Sequence, residues 1–417
     1  MRGRRFGSEV LLAFAGVLSL VMVGVPAPVG AAELKGIAKV GYDTFIDRFT
    51  ILEVGTRESI QEYYGGLGGS LAIGSAARIN VTNLFKVGSQ TIDDDLDFVA
   101  STAPGRRVAS FQGSLRWQHF QPGSDYQFRN DNVRSNAFLS LRSELGRRLR
   151  LNLKSRFESA NYREKTSFDY DYRYADAGLE LEAGSAIDRM VLVGGYLGFR
   201  DATDTSALDY RRSITELEAR LSSPSGVMLR IASIGDRRSY HGDVRSSYWS
   251  FTSFVDLGAK VPRDITISLR GESELFLFDR QDSIFFNTHF VRGGLRARYA
   301  FGPASGLFIE PRYARLLCES FPEERYAEAT AVVGVDYLRA GGLWLTASYE
   351  PGYHDYTADP NNLYSDYTVN RISVMASIPL VAGSTLNLFL THDPEKHSRP
   401  DDDFSVTLFS ADVTKRF

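Results

Sequence analysis

The sequence predicts an all-β protein that folds as a single closed, up-and-down antiparallel barrel of about 18 strands, within a range of roughly 16 to 20. Three observations predict this fold. Apolar and polar residues alternate with a period of two, tight and long connections alternate along the chain, and aromatic residues cluster where the apolar faces end. No long amphipathic helix competes with this alternation after residue 32.

The alternation is clearest in LRLNLKSRFE, residues 149–158, where apolar residues occupy most odd positions and charged or amide residues the even ones. The segments ITISLRGESEL (265–275) and VRGGLRARYAF (291–301) repeat it. Side chains of a strand point alternately to its two faces, so each segment has one apolar and one charged face. A soluble β-sandwich shares this property, and the other two observations must discriminate between the two folds.

The connections between the predicted strands alternate in length. Tight turns such as SSPSG, FGPASG and LRAGGL alternate with long polar segments near 159–169, 201–209, 237–246, 279–286, 317–327, 352–366 and 392–404. A barrel in an outer membrane has short periplasmic turns and longer outside loops, whereas a Greek-key sandwich mixes the two lengths. Most alternating segments also reach the roughly 9 to 11 residues that a tilted strand needs to cross the hydrocarbon layer. Both features favour a transmembrane barrel.

Aromatic residues lie at both ends of the predicted apolar faces. Aromatic rings are enriched at the two membrane interfaces, because they combine an apolar body with a polar edge or tip. The residues at the long-loop end are Trp249, Phe251, Tyr313, Tyr349 and Tyr353, and those at the short-turn end are Tyr299, Phe301 and Phe417.

The first 32 residues have the pattern of a secretory signal. Arg2, Arg4 and Arg5 precede an apolar run, and PAPVGAA supplies small residues suited to a signal peptidase. We expect a signal peptide over 1–32 and a barrel over 33–417. The single cysteine, Cys318, excludes an intramolecular disulfide.

The last strand, SVTLFSADVTKRF, places Phe409, Ala411, Val413, Lys415 and Phe417 on one face. It resembles the C-terminal assembly signal of the bacterial outer-membrane β-barrel superfamily, within which the chain is most similar to porin-like barrels. Lys415 departs from that signal, which has an apolar or aromatic residue there. The resemblance implies that Phe417 is read by the barrel-assembly machinery. It also implies a location in the outer membrane, in contact with its lipids and lipopolysaccharide.

The strand count is least defined near the start of the mature chain. Residues 135–417 give roughly fifteen strands and the preceding region about three to five more, with an even total because both termini should face the periplasm. The segment 63–87, YYGGLGGSLAIGSAARINVTNLFKV, reads either as two strands around Gly74 or as one strand with a glycine-rich bend.

Other classes of function are excluded or weakly supported. The net charge of −3 gives no electrostatic case for nucleic-acid binding. The run GGLGGSLAIG (65–74) lacks the spacing of a dinucleotide loop. The acidic run DDDLD (93–97) is interpreted as a solvated loop, and four histidines, placed in long loops, lack zinc-site spacing. We therefore expect no cofactor, no metal and no enzymatic activity. The four histidines in the predicted loops are His241, His354, His392 and His397.

The charged residues of the even-numbered face are the candidate functional residues. A sealed apolar core could not hold so many charges, whereas a wide barrel encloses water in which they stay hydrated. The sequence therefore predicts a porin-like channel for passive diffusion of small polar solutes. The predicted lumen-lining residues are Arg150, Lys154, Arg156, Glu180, Glu182, Glu216, Glu218, Arg220, Arg270, Glu272, Glu274, Arg292, Arg296, Arg298, Glu310 and Arg312.

Two alternatives remain open at this point. One is an export or attachment barrel for an exopolysaccharide or other envelope polymer, with Tyr170, Tyr172, Tyr174 and Tyr210 stacking on sugars. The other is a surface adhesin with a closed lumen.

Overall fold

The computed structural model describes residues 32–416, apart from 52–53, 74–76, 89–90, 103–104, 121–129, 165–169, 186–188, 203–207, 243–244, 262–263 and 357–363. The predicted signal peptide, except for Ala32, and Phe417 therefore lie outside the described residues. Three short 3-10 turns occur at Pro322–Glu324, Val381–Gly383 and Pro400–Asp402. The strands are β1 (Ala32–Ile51), β2 (Val54–Ile73), β3 (Ala77–Gly88), β4 (Thr91–Thr102), β5 (Arg107–Phe120), β6 (Asn132–Glu144), β7 (Leu149–Tyr162), β8 (Tyr172–Ser185), β9 (Arg189–Ala202), β10 (Tyr210–Ser222), β11 (Val227–Tyr240), β12 (Tyr248–Val261), β13 (Ile265–Phe278), β14 (Thr288–Ala300), β15 (Gly306–Cys318), β16 (Tyr326–Leu338), β17 (Trp344–Asp355), β18 (Tyr367–Pro379), β19 (Ser384–His397) and β20 (Phe404–Arg416).

These strands form one closed antiparallel sheet. Each strand pairs with its neighbours in the sequence, and β1 pairs with β20 from Ile37 opposite Arg416 to Phe49 opposite Phe404. Closure pairs the backbone groups of both edge strands, which would otherwise be unsatisfied in lipid at several kcal/mol each. The prediction of an all-β, up-and-down antiparallel barrel is confirmed. The 20 strands fall at the upper end of the predicted range, with β6 to β20 covering the predicted fifteen.

The two ends of the barrel have different connections. At the end where β1 begins and β20 ends, which we call the turn end, the connections are short, as in 223–226, 301–305 and 339–343. At the opposite end, which we call the loop end, most are longer. The longer ones are 121–131, 163–171, 203–209, 241–247, 279–287, 319–325, 356–366 and 398–403.

The first two connections at the loop end, 52–53 and 89–90, are short and interrupt the predicted alternation. In the first hairpin β1 and β2 are each 20 residues long, so the strands themselves contain residues that form loops elsewhere. Of the two interpretations of the glycine-rich segment, the two-strand one is correct, since β2 and β3 flank 74–76.

Glycine is required in one of the tight turns. In 339–343, Gly341 and Gly342 have φ angles of 108° and 90°, which residues with a Cβ rarely adopt. The Gly342 N–H donates to the carbonyl oxygen of Arg339 at 3.1 Å and closes the turn. The predicted turn sequence LRAGGL therefore forms the β16–β17 hairpin.

The outer surface of the barrel is apolar and carries aromatic residues at both ends. Leu153, Leu197 and Leu269 are exposed, with Leu197 retaining 73% of its accessible surface. Exposure of this many large apolar side chains around a closed barrel is the pattern of a surface in contact with lipid. Within the described residues, no helix is long and apolar enough to span a membrane. The exposed aromatics of the loop end are Trp249, Phe251, Tyr313, Tyr349 and Tyr353, and those of the turn end are Tyr299 and Phe301.

Two local interpretations of the sequence are wrong. The acidic run 93–97 is not a loop but lies within β4. The strand tolerates these charges because Arg116 on β5 lies 3.0 Å from Asp93 and 3.4 Å from Asp95 and offsets them. Of the four histidines assigned to loops, only His241 lies in a connection. The other three lie within strands, His354 in β17 and His392 and His397 in β19.

Candidate functional site on the inner wall

The inner wall is the face opposite the exposed apolar side chains. In β7 the exposed residues Leu149, Leu153 and Phe157 alternate with Arg150 and Lys154. The pairing register of the barrel carries this alternation from strand to strand. Following it around the sheet, the structure places all sixteen residues proposed to line the lumen on the face turned away from the apolar surface.

Opposite charges on β7 and β8 pair directly across the two strands. Arg150 Nη1 lies 2.6 Å from Glu182 Oε1, and Lys154 pairs with Glu180. Arg156 pairs with Asp176 on the same ladder, at 2.6 Å. The basic residues of β7 and the acidic residues of β8 therefore face each other across adjacent strands, and much of their charge is neutralised within the wall.

A second cluster surrounds Glu310 on β15. Its carboxylate lies 3.0 Å from Arg312, 3.5 Å from Arg270 and 3.6 Å from Arg296. The Glu310 side chain is only 3% exposed, because the three guanidinium groups cover it. Glu350 takes a further contact from Arg312, at 3.4 Å. One carboxylate thus holds three arginines from three adjacent strands.

The remaining proposed lumen residues form smaller groups. Glu218 accepts from Arg220 at 2.7 Å and from Arg230 at 2.8 Å. Glu272 pairs with Arg292. The other members are less closely engaged. Arg298 lies 3.9 Å from Asp336, and Glu216 and Glu274 have no ion pair within the described part of the chain.

Near the loop end, the inner wall of β7 to β11 carries a group of arginines that the sequence analysis missed, apart from Arg156. Arg212 forms a bidentate pair with Asp236, with Nε and Nη2 at 2.8 to 3.0 Å from its oxygens. Arg200 packs on the ring of Tyr172 with its guanidinium carbon 3.8 Å from the ring centre, and Arg238 lies over Tyr210. The available signal in the sequence was that these arginines occupy even-numbered positions, like the other residues of the inner face. They lie at strand ends, where a strand is hard to tell from the adjoining loop in the sequence.

A row of stacked rings occupies the loop end on the opposite side of the barrel. His354 stacks on Tyr326 at 4.2 Å and on Tyr367 at 4.6 Å between ring centres, and Tyr367 contacts His397 at 4.6 Å. Tyr356 extends the row, and burial raises its pKa to about 12. These rings join four consecutive strands, β16 to β19, at the loop end. Among the described residues no group of three or more potential ligands could hold a metal ion.

Comparison with known proteins shows the fold. No family model matches the sequence, and no curated protein matches it. Among solved structures, the copper transporter OprC matches with a TM-score of 0.61 at 11% identity, covering 94% of this chain and 82% of that one. The siderophore receptor PirA from Pseudomonas aeruginosa gives 0.58 at 10% identity, with 92% and 80% covered. The outer membrane protein opdK from Pseudomonas aeruginosa gives 0.50 at 11%, with 92% and 99% covered.

The closed barrel, its apolar exterior and the likeness to these structures agree with one another. A closed barrel satisfies every backbone group without water, which is the condition for spanning a membrane with strands. The chain thus has the closed-barrel fold of the bacterial outer-membrane proteins that it resembles.

Proposed function

We propose that the protein is a porin-like channel through which small polar solutes diffuse passively. The observation that carries this proposal is the exposure of the inner arginines. Arg220, Arg230 and Arg292 point away from lipid, yet their side chains retain 48%, 49% and 46% of their accessible surface. Side chains directed into the barrel stay this accessible only where the barrel encloses open space. Barrels of 16 to 18 strands already leave an aqueous channel, and this one has 20.

The pairing of charges along the wall supports permeation by neutral as well as charged solutes. Arg150 with Glu182 and Arg292 with Glu272 each leave little net charge locally. Hydrated ion pairs cost little in a water-filled lumen, whereas a dry core would penalise them heavily. A wall of this kind provides hydrogen-bonding groups along the whole path of a polar solute.

Single-channel recording in planar bilayers tests this function. Purified protein should insert and give open events with a linear current–voltage relation, since the proposed pore needs no energy source. Reversal potentials in a salt gradient would give the sign of its ion selectivity. A preparation that is folded, as judged by the migration of unheated samples on gels, and that gives no conductance under any salt or voltage would refute the proposal.

The export or attachment function is less well supported. It relied on tyrosine faces for stacking on sugars, but Tyr170, Tyr174 and Tyr210 are only 8%, 4% and 7% exposed. Arg200 and Arg238 cover two of these rings. Swelling of proteoliposomes in monosaccharides and disaccharides discriminates the two functions, since a diffusion channel admits both without selectivity.

A further inference from the structure

A small pocket in the inner wall lies at the loop end, between β7 and β11. Its volume is about 190 Å³. Four arginines line it, Arg156, Arg200, Arg212 and Arg238, together with three tyrosines and one acid, Glu158. All of them lie on the inner face, on five consecutive strands. A solute that enters from the loop end would pass this pocket early in its path.

Two of the four arginines already hold a carboxylate. Arg156 donates to Asp176 from Nε at 3.1 Å and from Nη2 at 2.6 Å. Arg212 makes the bidentate pair with Asp236, which is nearly buried. The Glu158 carboxylate accepts a hydrogen bond from the Tyr172 hydroxyl. These three carboxylates are therefore engaged within the wall.

The other two arginines are not satisfied. Arg200 has no carboxylate partner within the described residues, and its buried Nε has no hydrogen-bond acceptor there. The buried Nε of Arg238 likewise lacks an acceptor, since the nearest oxygen of Asp236 is 3.6 Å away and already bonded to Arg212. Tyr210 lies between these two guanidinium groups, with its ring centre 5.8 Å from Arg200 and 5.4 Å from Arg238.

Packing against tyrosine rings holds both guanidinium groups in place. Arg200 stacks on Tyr172 at 3.8 Å and lies 5.0 Å from the centre of Tyr170, and Arg238 lies 5.6 Å from the centre of Tyr248. Stacking fixes a planar guanidinium without consuming its N–H groups. The pocket therefore presents preorganised donors together with an excess of one positive charge, four arginines against three carboxylates.

We propose that this pocket binds the carboxylate of a small organic solute, with Arg200 and Arg238 as its principal donors. Guanidinium groups match a carboxylate in geometry, and one carboxylate balances the excess charge. A phosphate monoester offers the same kind of oxygens but carries a charge nearer −2, so it fits the balance less well. The proposal deepens the proposed channel function by assigning it a class of preferred solute.

Isothermal titration calorimetry on the full-length protein in detergent tests the site with three probes of similar size. Glucuronate supplies the carboxylate, glucose 6-phosphate the phosphate, and glucose neither. Glucuronate should bind saturably, glucose 6-phosphate more weakly, and glucose not at all. Absence of saturable glucuronate binding, or tighter binding of glucose or of glucose 6-phosphate, would overturn the assignment.

Two arginine variants locate the binding. Arg200→Gln should weaken glucuronate binding by about tenfold or more, the loss of one charge-assisted donor. Arg230→Gln is the matched control, because Arg230 also lies on the inner wall but pairs with Glu218 and lies outside the pocket. Equal effects of the two variants would overturn the proposal. If Arg200→Gln does not fold, Arg238→Gln serves in its place, with a several-fold loss expected and no change refuting the site.

Failure of the site and failure of the channel give different results. Calorimetry does not depend on conduction, so glucuronate binding by a protein without conductance would leave the site intact and refute the channel. Conductance without glucuronate binding would support the channel and refute the site. If both hold, glucuronate should also reduce the single-channel current, with a half-blocking concentration that rises about tenfold in Arg200→Gln.

Discussion

The Glu310 carboxylate accepts a hydrogen bond from Arg312 Nε at 3.0 Å, two residues along the same strand and on the same face. Because Arg270 and Arg296 approach the other oxygen, the carboxylate holds together β13, β14 and β15 on the inner side of the barrel. The cluster is both a structural contact and a part of the charged wall.

Glu310→Gln should destabilise the barrel, since three neighbouring arginines would lose their shared counter-charge. Removing one partner of a buried ionic group costs roughly 3 kcal/mol or more. Urea unfolding of the protein in lipid vesicles measures this cost. Glu274→Gln is the control, as Glu274 lies on the same wall without an ion pair among the described residues. Similar losses for both variants would argue against a special role for the cluster.

Gly178→Ala should reduce the fraction of folded protein. The ring of Tyr196 lies across Gly178, where an added methyl group would overlap it, and the Tyr196 hydroxyl bonds to Glu180. Overpacking of this kind costs about 1 to 3 kcal/mol. Gly195→Ala is the matched control, because its methyl group would meet only the Ile214 carbonyl, at 4.0 Å. The faster migration of folded, unheated samples on gels reports the result, and equal folding of both variants would contradict it.

Phe286→Ala should make two connections at the loop end more accessible to protease. The Phe286 ring packs against the Phe321 ring, with 4.7 Å between ring centres, and this contact joins the connections 279–287 and 319–325. Ile284→Ala is the control, since Ile284 lies in the same connection with its side chain 74% exposed. Limited trypsin digestion of intact cells should cleave the Phe286→Ala variant faster in these two connections. Unchanged cleavage would show that the ring contact does not hold them.

Asp131 should stabilise the β5–β6 connection in a pH-dependent way. Burial opposes its ionisation, but the Phe120 N–H, His119 and Arg163 outweigh burial and lower the pKa of Asp131. An Asp with a lowered pKa contributes stability above its unfolded pKa, about 3.9, and loses it as the pH falls through the folded value.

The difference in thermal midpoint between the wild type and Asp131→Asn should therefore be large at pH 7 and shrink toward pH 3. Asp401→Asn, which changes an exposed aspartate in the β19–β20 connection, is the control variant. A constant difference across this range would contradict the assignment.

The strands were predictable because their alternation is local. In β7 and β13 each residue's face follows from its own position, and the turn LRAGGL contains the two glycines that its backbone needs. The partners across strands were not predictable to the same extent. Which acid meets Arg156 depends on the β7–β8 register, which places Asp176 directly opposite it.

The pocket around Arg200 was missed for the same reason. Arg200, Tyr210 and Arg238 lie on three strands and are brought together only by pairing, and none is marked by a motif. The acidic run 93–97 was assigned to a loop because consecutive aspartates oppose strand formation by themselves, and its counter-charge, Arg116, lies on the next strand.

Thiol labelling of adjacent residues on β12 tests the central claim, that the charged face lines water and the apolar face meets lipid. Thr252→Cys and Ser253→Cys, each made with Cys318→Ala to remove the natural thiol, place one sulfur on each face. A membrane-impermeant charged thiol reagent should modify Thr252→Cys in native membranes and lower its single-channel conductance, and should leave Ser253→Cys unmodified. Labelling of Ser253→Cys with Thr252→Cys protected would contradict the account.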